Sequence, residues 1–279
     1  MVNTEQSRPE PSKTEPSKTE QSRPHPMLRV EQSGPVLTIT LDSPERRNAQ
    51  APSVWSALAG VGGSLDPSVR VVVIRAEGPS FSAGLDRAML TPQGAPGEPS
   101  ILALAAGAVG PLEDAIEEFQ RGFSIWAQVP AITIAAVQGH AIGAGFQLAL
   151  ACDLRVVADD VAFAMRETSL GLVPDLAGTS PLVRSVGYAR ALEICATGRF
   201  VGAQEAVAIG LASLAVPAED LQDAARDLAE AILQAPVAAV RELKPLLRHA
   251  IDASPQDQLR AEREAQARLL AAMVAGPGK

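Results

Sequence analysis

The sequence predicts an α/β fold, and three observations carry that prediction. Val69–Ala76 (VRVVVIRA) and Ala131–Val137 (AITIAAV) are nearly continuous β-branched and small apolar runs, the composition of strands buried on both faces. Segments with helical spacing of apolar residues alternate with such runs. After Gly178 the remainder reads as helix, and the final helices are expected to cover the sheet or a neighbouring subunit.

Element by element, LRVEQ and Val36–Leu41 (VLTITL) flank Ser33-Gly34-Pro35 and read as a β-hairpin, because Ser-Gly-Pro breaks the chain between two β-prone runs. A helix is expected over Ala51–Leu65, then the strand Val69–Ala76. Thr91–Pro99 (TPQGAPGEP) is rich in Gly and Pro and reads as a mobile surface loop. Beyond the Ala131–Val137 strand come a helix over Gly143–Ala151, a strand over Asp153–Ala158 and a short one over Val161–Met165. Helices are expected over Ala203–Ile209, Ala218–Leu233, Pro236–Ile251 and Pro255–Met273. Residues 1–26 repeat with a period of five (EQSRP, EPSKT, EPSKT, EQSRP), carry four glutamates against four Lys/Arg, and offer no core-forming residue after Val2. Such a segment cannot offset its ordering entropy by burial and is expected to be a disordered tail. Residues 27–217 form the expected core and 218–279 a C-terminal helical segment.

Composition excludes whole function classes. The net charge is -8 and only 3% of residues are aromatic, so the clustered cations and stacking rings of a nucleic-acid surface are missing. No apolar run is long enough to span a bilayer and the N-terminus has no apolar signal core, so a cytoplasmic protein without a membrane partner is expected. Cys152 and Cys195 lack metal-ligand spacing and read as small buried hydrophobes. His25 lies in the tail, His249 on a helix surface and His140 in a loop, so no metal site is expected. GxSxG, GxxxxGK[ST], HExxH and CxxC are absent, and the glycines of Gly139–Gly145 do not have dinucleotide-binding spacing.

Two segments rise above this background. Phe81–Asp86 (FSAGLD) follows one buried strand and Gly139–Cys152 (GHAIGAGFQLALAC) follows the next. Each places small residues where a strand turns into a helix, leaving backbone N–H groups free to face an anion. Two such turns side by side could supply the convergent donors of an oxyanion hole, although either alone is more often tight packing than catalysis.

In order and spacing, LDSPERRNA (Leu41–Ala49), FSAGLD, IAAVQGHAIGAGFQLALACDLRVV (Ile134–Val157), FAMRETSLGLVPDLAGT (Phe163–Thr179) and ATGRFVGAQEAVAIGLA (Ala196–Ala212) resemble the crotonase, or enoyl-CoA hydratase/isomerase, superfamily. The resemblance covers roughly residues 28–217. It implies a spiral of repeated ββα units with a helical C-terminal trimerisation segment, a homotrimer or dimer of trimers, and an acyl-CoA thioester as ligand with no cofactor beyond the coenzyme A of the substrate. Carried over by position, the oxyanion donors are the N–H groups of Leu85 and Ala144. The latter stands where the family often has Gly, a mild departure because alanine also donates its N–H. Ala83, Leu85, Asp86, Arg87 and Ala88 would line the coenzyme side, with Arg87, Arg46 and Arg47 as candidate phosphate partners.

The acids decide the expected reaction. Hydratases of this family use two glutamates on one water; here the first position is Gln147 and the second is Glu167. Glutamine hydrogen-bonds a water but cannot take its proton, so a double-bond shift through Glu167 alone is favoured over hydration. Asp175, eight residues beyond Glu167, is spaced as in dienoyl-CoA isomerases, where a second acid shares the proton shuttle. It reads equally as the cap of a helix beginning near Ala177 or Gly178. Loss of the first acid also leaves open a non-catalytic acyl-CoA binder, whereas a peptidase lacks a Ser/His/Asp set at the motif positions.

Overall fold

The two runs read as buried strands lie at the centre of a seven-stranded sheet. The computed structural model describes residues 20–98 and 100–275. In chain order the elements are β1 (Glu20–His25), β2 (Leu28–Ser33), β3 (Val36–Leu41), α1 (Pro52–Gly63), β4 (Val71–Ala76), α2 (Ile101–Ala105), α3 (Val109–Gln128), β5 (Ile132–Val137), β6 (His140–Ile142), α4 (Ala144–Ala151), β7 (Leu154–Ala158) and β8 (Ala162–Ala164). They continue with α5 (Thr179–Val186), α6 (Tyr188–Thr197), β9 (Val201–Gly202), α7 (Ala203–Ala208), β10 (Leu214–Val216), α8 (Leu221–Gln234), α9 (Val237–His249) and α10 (Pro255–Ala275).

The large sheet runs β1-β2-β3-β4-β5-β7-β10, antiparallel as far as β3 and parallel from β3 onward. A second sheet orders β6-β8-β9. Strands of the large sheet lead into the small one and then into a helix: β5 to β6 to α4, and β7 to β8 to the helices beyond. This is the ββα spiral of the crotonase fold.

Alternation along the central strands explains their uniform apolarity. Val72 and Ile74 of β4, with Ala135 and Val137 of β5, join the main core, where Trp55, Phe123 and Trp126 of α1 and α3 pack. Val71 and Val73, with Ile134 and Ala136, face the opposite way and are covered by Leu221, Ala225 and Ala229, spaced four residues apart on α8. The expectation that a late helix covers the sheet therefore holds for α8. Next, α9 is anchored by Lys244, whose buried ammonium lies 2.8 Å from Asp153 and donates to the carbonyls of Trp126 and Ala131.

Three readings are corrected. Glu20–His25, assigned to the tail, form β1, because a backbone ladder to β2 needs no apolar side chain; Arg23 pairs with Asp42 at 2.7 Å and His25 meets Ser53 at 3.0 Å. The rest of that tail, residues 1–19, lies outside the described residues. The chain after Gly178 is not wholly helical, since β9 and β10 complete the two sheets. Finally, α2 and α3 were not foreseen beyond the loop; the moderate apolar content of α3 conceals a stripe ending in the buried Phe123 and Trp126.

Removing one member of a buried ion pair leaves the other charge uncompensated, at a cost of about 3–5 kcal/mol. Lys244→Met is therefore expected to lower unfolding stability by about 3 kcal/mol in urea, with partial recovery in Lys244→Met/Asp153→Asn. A loss below about 1 kcal/mol, the size of an exposed pair, would contradict the anchoring role.

Candidate active site

The site forms where two strand exits cross. After β4 the chain passes through Ser82, and after β5 through β6; Ser82 N–H donates to the His140 carbonyl at 2.9 Å and Ile142 N–H returns to the Ser82 carbonyl at 3.0 Å. Two glycines make this approach feasible. Gly84 has φ +86°, and a Cβ there would stand 2.4 Å from the Ile142 oxygen; a Cβ on Gly145 would stand 2.7 Å from the Ser82 oxygen.

Side chains brace the crossing from beneath. Buried Ser82 donates to the Asn48 carbonyl at 2.7 Å and accepts from Gln50 Nε2 at 3.0 Å and Gly84 N–H at 3.1 Å. Asn48, itself in a left-handed conformation, donates to the carbonyls of Glu77 and Ser80. The Gln50 backbone bridges Leu85: its N–H donates to the Gly84 carbonyl at 2.7 Å and its carbonyl accepts from Asp86 N–H at 2.8 Å. Leu85 lies between those two bonds, and its own N–H has no acceptor among the described residues. The same holds for Ala144 N–H at the start of α4, which lies 3.5 Å from where a Gly84 Cβ would be. Two unpaired donors thus lie close to Gly84. The Asn48, Gln50 and Ser82 brace was not read from the sequence, although Asn48 sits inside the quoted LDSPERRNA block.

Glu167 follows β8 at the start of a short 3-10 turn, and its carboxyl rests against Gly143, whose absent Cβ would be 3.2 Å from Oε1. Gly143 N–H donates to the Ala164 carbonyl at 2.9 Å, tying the donor turn to the strand that delivers Glu167. Gln147 is 1% exposed and donates Nε2–H to Glu167 Oε1 at 2.8 Å, while its Oε1 accepts from Leu176 N–H at 2.9 Å and Gly178 N–H at 3.2 Å. Glu167 Oε2 is buried without a partner. Burial is the main cause holding the Glu167 carboxyl above its usual range, and the nearby charge of Asp175 adds to it; the Gln147 amide opposes both.

Asp175 does not cap a helix. The cap residue of α5 is Gly178, and no side chain caps that helix. Its carbonyl is held by Gln120 Nε2 at 2.7 Å; the residue is exposed, and desolvation by the protein around it pushes its carboxyl up.

The coenzyme-side candidates divide. Arg46 is ion-paired with Asp86, which also accepts from Ala88 N–H at 3.1 Å and so caps the turn Arg87–Leu90. Ala83 N–H is spent on the Arg47 carbonyl at 2.8 Å. Arg47 and Arg87 are exposed and have no carboxylate partner among the described residues. Leu85 packs on a small apolar cluster of Ala51, Met89 and Ala95.

The other candidates lie apart. His140 meets Phe200 edge-on at 5.9 Å, His249 meets Gln258 at 2.9 Å, and no cluster of metal-ligating side chains occurs among the described residues. Cys152 is buried and its thiol is pushed up to about 12 by desolvation, whereas Cys195 is only half-buried. No described helix is long and apolar enough to cross a membrane. A groove of about 390 Å³ between α3, α4, α5 and α9 contains neither Glu167 nor the free donors.

Residues 31–275 match the family model described as enoyl-CoA hydratase/isomerase. The chain belongs to the enoyl-CoA hydratase/isomerase family. Among solved members, a candidate enoyl-CoA hydratase from Thermobifida fusca YX in complex with acetoacetyl-CoA is 44% identical, with a TM-score of 0.85 over 88% of this chain and 95% of that one. An enoyl-CoA hydratase from Bacillus anthracis is 27% identical, with a TM-score of 0.77 over 88% and 92%. A carnitinyl-CoA dehydratase from Salmonella arizonae is 34% identical over 238 residues, 84% of each chain. Within this family member, the fold brings Leu85, Ala144, Gln147 and Glu167 together, with Asp175 close enough to act on Glu167 electrostatically.

Gly84→Ala would force a side chain into a left-handed turn and against the Ile142 carbonyl. Strain of this kind costs about 1–3 kcal/mol. Chemical denaturation should register that loss, and an unchanged midpoint would contradict the tight crossing.

Proposed function

We propose that the chain is an acyl-CoA enzyme that shifts the double bond of an enoyl-CoA thioester. The observation that carries this reading is the amide of Gln147 on Glu167: the carboxylate, with one buried and unpartnered oxygen, lies beside Gly143 next to the free Ala144 donor, and the group hydrogen-bonded to it from position 147 is an amide, not a second carboxylate. In the proposed reaction Glu167 takes a proton from C2 of a 3-enoyl-CoA. The electron pair spreads into a dienolate whose thioester oxygen is held by Leu85 and Ala144 N–H, and the carboxylic acid returns the proton to C4. One proton leaves and one is restored, so no water or cofactor is consumed; coenzyme A enters as part of the substrate.

Binding of acyl-CoA is supported by the Thermobifida fusca YX neighbours, solved with acetoacetyl-CoA and with CoA. Arg47 and Arg87 are the cations free to meet coenzyme phosphates, with Ala83, Asp86 and Ala88 shaping that side; Arg46 would first have to leave Asp86. Exposed apolar residues along the last helices, including Leu247, Leu259, Leu270 and Met273, support assembly as a homotrimer or dimer of trimers. A cytoplasmic location remains the expectation from sequence.

A second reading, hydration of a 2-enoyl-CoA, is favoured by the names of the relatives. A dienoyl-CoA isomerase that uses Asp175 with Glu167 is favoured by their electrostatic coupling. Wild type and Glu167→Gln should be compared on a 3-enoyl-CoA and on crotonyl-CoA. The 3-enoyl substrate should be isomerised and the variant slowed by about 10²–10⁴-fold, the usual worth of a positioned general base. Rapid hydration of crotonyl-CoA by the wild type would establish the hydratase instead, and binding without turnover would establish a non-catalytic binder.

Because the base must be ionised and its carboxyl is held high, kcat/KM should fall, as pH is lowered, at a pH above the ordinary glutamate value of about 4.3. Asp175→Asn removes a like charge and should move that acid limb to lower pH. An acid limb unchanged in Asp175→Asn would remove Asp175 from the site's electrostatics.

A further inference from the structure

We infer that Gln147 is a positioning residue: its side-chain amide fixes which oxygen of Glu167 faces the reacting acyl group and locks that carboxylate to the segment carrying Asp175. The inference rests on the proposed role of Glu167 and adds what holds it in place.

The orientation of the amide follows from its partners. Two backbone N–H groups, Leu176 at 2.9 Å and Gly178 at 3.2 Å, converge on one end of the side chain, so an acceptor oxygen must sit there. The other end is therefore NH₂, and it meets Glu167 Oε1 at 2.8 Å. The reversed amide would set NH₂ against two donors and oxygen against a carboxylate. At 1% exposure these bonds have no water to replace them, which raises the cost of losing any one.

Gly178 is part of the same device. A Cβ there would stand 2.6 Å from Gln147 Cγ, so glycine lets the segment after Asp175 close onto the amide. With Oε1 pinned, Oε2 is the oxygen left without a partner, which suits a single group that must take a proton at one carbon and deliver it at another. Glutamate at position 147 would still accept from Leu176 and Gly178, but would set a second carboxylate where Glu167 now receives a hydrogen bond. The substitution that removes an acid from the hydratase pair thus supplies the donor that orients the acid remaining. Other titratable groups near Glu167 are Asp175, whose charge adds to the effect of burial in raising it, and Cys195, whose thiol is pushed up by burial first and by the Glu167 charge second.

The test uses the full chain with glutamate ¹³C-labelled at the side-chain carboxyl, titrated by NMR without substrate, the Glu167 resonance being the one lost in Glu167→Gln. Gln147→Met removes the donor at similar volume, and Gln147→Glu removes it while keeping the acceptor for Leu176 and Gly178. The Glu167 midpoint should rise in both. In parallel, kcat on a 3-enoyl-CoA should fall by on the order of 10²-fold with KM nearly unchanged. A Glu167 midpoint equal to wild type in either folded variant overturns the inference. If the wild type isomerises nothing, the proposed reaction fails while the titration still decides the role of Gln147.

Discussion

The crossing of the Ser82 strand exit over β6 is the constraint on which the rest of the site depends. Two backbone bonds, Ser82 to His140 and Ile142 to Ser82, consume the donors and acceptors on either side and leave Leu85 and Ala144 N–H unspent. Backbone N–H groups seek an acceptor, so two unpaired donors close together, one of them on the buried Ala144, suit an acceptor that arrives from outside. The brace of Asn48, Gln50 and Ser82 makes this rigid: it is built on short side chains, each satisfied on several sides, and on glycines that admit no substitute where the backbones nearly touch.

Glu167 completes the arrangement by being uncomfortable. A carboxylate taken partly out of water favours its neutral form, and only the amide of Gln147 and nearby backbone N–H groups draw it back toward ionisation. That balance suits a group that must both accept and return a proton near neutral pH. It also explains why family membership alone does not fix the reaction. In the proposed reaction the scaffold would supply thioester polarisation, and the side chain at position 147 would decide whether one or two carboxylates act on what is bound.

Much of this was legible from sequence because the signals were local. The β-branched runs of β4 and β5 carry their burial in composition, and Gly84, Gly139 and Gly143 mark turns that the structure gives positive φ. The family resemblance put Gln147 and Glu167 at one site, and the structure places them in direct contact. What escaped depended on distant partners. The β1 strand is polar, and its reasons to be extended, the β2 ladder and the Arg23–Asp42 and His25–Ser53 contacts, all lie elsewhere in the chain. Asp175 looked able to cap a helix until that helix began at Thr179, beyond its reach. Arg46 looked free until Asp86, forty residues away, took it. The double hold of Gln147 on Leu176 and Gly178 spans about thirty residues and has no signature in the local pattern.

The central claim is that a thioester oxygen belongs between Leu85 and Ala144 with the free oxygen of Glu167 over the carbon that loses its proton. The most direct measurement is a crystal structure of the protein with an unreactive 3-enoyl-CoA analogue. The account predicts the thioester oxygen at about 2.7–3.1 Å from both N–H nitrogens and Glu167 Oε2 at about 3–3.5 Å from C2. A thioester oxygen without those amide contacts, or a Glu167 carboxyl turned away from the acyl chain, would contradict it.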